Sequence, residues 1–264
     1  METNNSFSVQ RFFLLCKQSL IINKKIISIS LAGFVGILFI ALILFQSASQ
    51  FSHWENNNYQ GTFLSLFFTL GIIISGHAFP AFRTKEKSMT YLMLPVSASE
   101  KFTFEFLVRI VLFILVLPSL FWVVANLEGA IVHHFVPELT NYKYSFIDKG
   151  WTVNSLGEFW IWKYFAITQG VLFVFISAFT GASYFAKSPL LKTMSAVSIL
   201  FAGFALFTFL LVKGMNLEAF HPARNRAFFI SDEHNAMVFM ALGVAVINLC
   251  LLVIAYFRLK EKEA

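Results

Sequence analysis

The sequence predicts an all-α, polytopic membrane protein with six transmembrane helices, and three observations carry that prediction. The chain is 58% hydrophobic and only 13% charged, where an ordinary soluble domain has roughly 25% charged residues. Its apolar residues fall into blocks of about 20, the length a helix rising about 1.5 Å per residue needs to cross a hydrocarbon core of about 30 Å. The blocks are solid rather than alternating in polarity, which excludes a β-barrel. Much of the bulk is phenylalanine, 34 of 264 residues, a residue that suits lipid-facing surfaces and supplies no chemistry.

In chain order the crossings are predicted over 26–45, 62–82, 104–127, 159–186, 193–212 and 236–257, and together they form a single transmembrane domain over 1–264. Ahead of them, the stretch Phe7 to Ile22 mixes Phe7, Phe12, Leu15, Leu20 and Ile21 with Arg11, Lys17 and Gln18. It is too short and too charged to span, and it predicts an amphipathic helix lying in the membrane interface; the alternative is a frayed tail. Charges at Arg11, Lys17, Lys24 and Lys25 interrupt the apolar runs, so no cleaved signal peptide is expected.

Lys and Arg in the connections predict the orientation. With the N-terminus inside, the inner segments hold Arg11, Lys17, Lys24, Lys25, Arg83, Lys85, Lys87, Lys101, Lys187, Lys192, Arg258, Lys260 and Lys262, whereas the outer ones hold only Lys143, Lys149, Lys213, Arg224 and Arg226. That asymmetry predicts that both termini are cytoplasmic. It also accounts for most of the net charge of +6, so a basic rim beside anionic lipid explains the charge without nucleic acid. The outer connections 46–61, 128–158 and 213–235 are long, and the middle one carries Tyr142, Tyr144 and Trp151, the aromatic types that anchor at interfaces.

On the inner side one connection stands apart, Arg83 to Lys101, with the sequence RTKEKSMTYLMLPVSASEK. Inside a frame of Arg83, Lys85, Lys87 and Lys101 against Glu86 and Glu100 lies an apolar cluster, Tyr91, Leu92, Met93 and Leu94, stopped by Pro95. A plain connector needs neither the cluster nor the length. The residues leave two readings open: an amphipathic turn on lipid headgroups, or a docking element for a soluble partner.

The run Lys85-Glu86-Lys87-Ser88-Met89-Thr90-Tyr91-Leu92-Met93-Leu94-Pro95-Val96-Ser97, followed by Glu100 and Lys101, resembles the loop between the second and third spans of bacterial type 2 ATP-binding-cassette (ABC) transporter permeases. The Gly-Thr pair common before the Leu-rich turn in that family is replaced here by Ser88-Met89-Thr90. The resemblance implies a coupling helix in the 83–103 loop, seated in a cleft of a separate cytoplasmic ATPase. Tyr91, Leu92, Met93 and Leu94 would be its apolar anchors, Pro95 its end, and Glu86, Lys87, Glu100 and Lys101 its polar rim, with Thr90 and Ser97 in the same motif. It further implies a membrane subunit of the bacterial inner membrane that is not itself an enzyme, completed by a second permease copy or a paralogue, with ATP used by the partner. A non-transporting membrane protein, an assembly factor or sensor whose loop binds another cytoplasmic partner, is the alternative.

Other chemistries find little in the residues. No GxxxxGK[ST] phosphate loop occurs. Glu105, Glu128 and Glu158 fall at the ends of the predicted spans rather than at mid-membrane, where ion-driven carriers keep carboxylates. Arg109 and Lys163 lie close enough to span ends to snorkel. Gln169 and Asn248 are read as helix-to-helix hydrogen-bonding groups, with a substrate path as the second reading. Small pairs such as Ser177 with Gly181 permit close helix packing, Pro118 predicts a kink, and His77 before Pro80 marks a bend. Neither a metal site nor a disulfide is expected from the histidines or from Cys16 and Cys250.

Overall fold

The structure is a computed structural model that describes residues 7–48, 56–83, 89, 91, 96–135, 144–146, 160–185, 187–214 and 233–263. Seven α-helices make up the described chain: α1 (Val9–Ala48), α2 (Asn56–Gly76), α3 (Ala98–Phe106), α4 (Leu112–Phe135), α5 (Trp160–Tyr184), α6 (Pro189–Gly214) and α7 (Glu233–Glu263). A π turn, Leu107–Val111, joins α3 to α4 so that Ala98–Phe135 runs as one rod. Six helices, counting that rod once, are long and apolar enough to cross a membrane. The chain is a multi-pass, all-helical membrane protein.

Three boundaries differ from the sequence reading, each for a local reason. The expected interfacial helix is not a separate element, because α1 runs unbroken for 40 residues, about 60 Å at helical rise. Lys17, Lys24 and Lys25 are polar but are good helix formers, and no proline interrupts the run. α2 starts and stops six residues earlier than predicted. Its apolar run continues to Phe82, but the backbone turns at Gly76, Phe79 takes a left-handed φ of 54°, and Pro80 opens a short 3-10 turn, Pro80–Arg83. His77 closes this turn through Nδ1 against the Ile73 carbonyl at 2.8 Å. The third span extends beyond 104–127 at both ends, and its irregularity sits at the π turn while the helix continues across Pro118.

The chain forms two compact units, one from Met1–Gly71 and Leu94–Ser155, the other from Ile72–Met93 and Leu156–Ala264. In the first, α1 packs along α3 and α4 around a core of Leu38, Leu42, Tyr59, Phe121, Val124, Ala125 and Tyr144. Aromatic contacts extend it, with Phe63 and Phe121 centroids 5.2 Å apart and Phe67 stacked on Phe113 at 5.5 Å.

In the second unit α5 is the central helix and packs on α7 and α6. Gly181 is the closest approach: a Cβ built there would lie 1.7 Å from Thr193 Oγ1 and 2.6 Å from Thr193 Cβ. Thr180 Oγ1 donates to the Leu251 carbonyl at 3.2 Å, and Phe79 packs on Phe179 at 5.1 Å. At the far end of α7, Lys262 Nζ donates to the Ser183 carbonyl at 2.7 Å, placing a cation at the C-terminus of α5, where the helix dipole favours it. Arg258 stacks over the Tyr184 ring at 4.3 Å. Lys262→Met is expected to cost about 0.5–1 kcal/mol, seen as a small fall in the melting temperature of detergent-purified protein; an unchanged melt would deny the cap any weight.

Candidate functional site

The 83–101 loop ends on a helix start that its own sequence dictates. Ser97 is extended (φ −69°, ψ 156°) and caps α3: its hydroxyl accepts from the Glu100 N–H at 3.4 Å, and its N–H donates to Glu100 Oε2 at 2.9 Å. This is the reciprocal capping box of an S-x-x-E sequence, which satisfies two donors that a helix N-terminus leaves open.

Glu100 does more than cap its own helix. Its Oε1 accepts from the Ser8 N–H at 2.6 Å and pairs with Arg11 Nη2 at 3.3 Å. Ser8 immediately precedes α1, and its carbonyl takes the Phe12 N–H at 3.0 Å. One carboxylate with 0% side-chain exposure therefore sits at the N-termini of two helices, whose dipoles both favour a negative charge there. Glu100 fastens the start of α1 to the start of α3.

Glu86, Lys87, Thr90, Leu92, Met93, Leu94 and Pro95 lie outside the described residues. Met89 is exposed and Tyr91 half-buried. Glu100 and Lys101, expected on the rim of a docking surface, are instead buried at 0% and 1% exposure, because the capping box turns the first turn of α3 into the unit. Gln169 and Asn248 do meet: Asn248 Nδ2 donates to the Gln169 carbonyl at 3.1 Å and to its Oε1 at 3.0 Å, holding α5 to α7. Arg109, in the π turn, pairs with Glu105 at 3.4 Å. Cys16 and Cys250 are free thiols. Among the described residues no three His, Cys, Asp or Glu side chains gather as metal ligands.

Sequence reasoning missed a second polar cluster at the other end of the first unit. Glu128, expected at a span end, is fully buried. Its Oε2 accepts from the Tyr59 hydroxyl at 2.8 Å and from Gln46 Nε2 at 3.2 Å, and Gln46 also donates to Tyr59. The 144–146 segment covers this corner: Asn56 exchanges hydrogen bonds with the Ser145 backbone at 3.1 and 3.3 Å, and Asn126 Nδ2 reaches the Tyr144 carbonyl at 3.4 Å. Burial pushes the Tyr144 phenol above its ordinary range. Only the isolated carboxylate in an otherwise apolar run hinted at this cluster, since its partners lie 69 and 82 residues away.

No family model, curated protein or solved structure matches this chain.

Proposed function

We propose that the chain is the permease subunit of an ATP-driven transporter of the type 2 ABC class, set in a bacterial cytoplasmic membrane. In this reading both termini and the 83–101 loop face the cytoplasm, a second copy or a paralogue completes the pathway, and a separate ATPase docks on the loop. The observation that carries the reading is the Glu100 anchor. A loop that transmits force must not be slack where it enters the membrane bundle, and Glu100 ties its exit to two helix starts at once.

The test is co-purification with an ATPase encoded beside the permease. Leu92→Asp with Leu94→Asp puts two charges where apolar anchors are required, and an interface anchor is worth about 2 kcal/mol or more. Association is expected to be lost while membrane insertion is retained. Undiminished association would remove the coupling role, and capture of a different soluble partner by the same loop would favour the non-transporting alternative.

A further inference from the structure

The Glu128 corner is not absorbed by the transporter reading, and its hydrogen bonds do not balance. Glu128 Oε2 takes two donors, Tyr59 and Gln46. Its Oε1 is buried and has no hydrogen-bond partner among the described residues, and the same holds for Asn126 Oδ1 and the Tyr144 hydroxyl. The Tyr144 ring lies 5.6 Å from that of Tyr59, the phenol that donates to Glu128, and 5.3 Å from Phe121. Among the described residues, the groups bonded to Glu128 are Gln46 from α1 and Tyr59 from α2. Neither is a cation, and among the described residues Glu128 makes no ion pair.

Buried polar atoms almost always have partners, and an exception calls for a missing proton, ion or water. An unpaired buried carboxylate costs several kcal/mol, and Glu128 Oε1 is a buried acceptor with no donor on it among the described residues. A carboxylate oxygen is also a ligand type that hard cations take. We propose that this corner binds one small cation, a proton or a sodium-sized metal ion, at Glu128 Oε1. The positive charge supplies what the surrounding side chains lack and holds α1, α2 and α4 together through Gln46, Tyr59 and Glu128. The site is independent of the transporter reading, and loss of either leaves the other standing.

The experiment compares wild type with Glu128→Gln, which mimics the neutral acid. Both are purified in detergent and melted from about pH 5 to about pH 9 in choline chloride, then with sodium chloride at equal ionic strength. A native state that holds one more cation than the unfolded chain loses stability as protons become scarce. In choline the wild-type melting temperature should therefore fall relative to Glu128→Gln by about 3 °C per pH unit over part of this range. Recovery of the wild type alone on adding sodium identifies a metal ion as occupant; no recovery identifies a proton. Parallel melting curves for the two proteins in every condition overturn the proposal. Should Glu128→Gln not fold, the wild type decides by itself. Dicyclohexylcarbodiimide, which adds to protonated carboxyls in apolar surroundings, should modify Glu128 near neutral pH, with protection at high pH or by sodium. Absence both of that adduct and of pH- or sodium-dependent melting overturns the proposal equally.

Discussion

Gly181→Val is expected to destabilise the protein by about 3 kcal/mol or more, because the site has no room even for a methyl group. A Cβ at this position would stand 1.7 Å from Thr193 Oγ1 and 2.6 Å from both Cβ and Cγ2 of the same residue. Rotation of Thr193 about χ1 moves Oγ1 and Cγ2 but leaves Cβ in place, so no rotamer relieves the overlap. The helices α5 and α6 must separate, which strips packing from their whole contact. Thermal melting of the detergent-purified protein measures the loss. Gly170, with nothing within 4 Å of a built Cβ, supplies the control: Gly170→Ala should melt like wild type. Gly181→Ala combined with Thr193→Gly, which removes all three clashing atoms, should recover part of the loss. A Gly181→Val protein that melts within about a degree of wild type would show that the two helices are not in this contact.

Glu100→Ala ranks next, at about 2–4 kcal/mol. It removes the acceptor for the Ser97 and Ser8 N–H groups and leaves Arg11 without the carboxylate that holds it. The Ser97 hydroxyl cap stays in place, and each buried donor left open costs about 1–3 kcal/mol. Arg11 retains 31% side-chain exposure, so water offsets part of its loss, and Arg11→Ala should cost under half as much. Glu100→Gln is not conservative here, because its amide can accept at one of its two ends only and must present N–H to the other. Proteolysis after the first turn of α1 should accelerate in Glu100→Ala, and unchanged cleavage would mean that the start of α1 is held by something else.

Why the sequence reveals the span count but not the fastenings follows from the range of each interaction. Apolar blocks are a property of composition, and all six are helices in the structure. At α2 the apolar run and the backbone disagree: hydrophobicity continues to Phe82, while Gly76 and Pro80 stop the helix, and the weaker-looking punctuation decides the boundary. At α1 the charges at Lys17, Lys24 and Lys25 mark a change of surroundings, which the backbone ignores. The Ser97–Glu100 cap is written locally in four residues and is legible in principle as S-x-x-E. Its bonds to Ser8 and Arg11, 92 and 89 positions away by number, are not, and neither is the meeting of Gln46, Tyr59 and Glu128. Gly181 is visible in the sequence as one of several small residues; that it faces Thr193 at such close range depends on the packing of α5 on α6.

Two carboxylates on the rod Ala98–Phe135 grip the same neighbour at opposite ends: Glu100 holds Ser8 and Arg11 at the beginning of α1, and Glu128 holds Gln46 near its finish. The two rods thus run in the same direction and are clasped at points about 42 Å apart along the second of them. A rod clasped once can slide or pivot past its companion, but one clasped twice can only tilt with it. Any displacement applied at Ser97 would thus carry both ends of the pair with it.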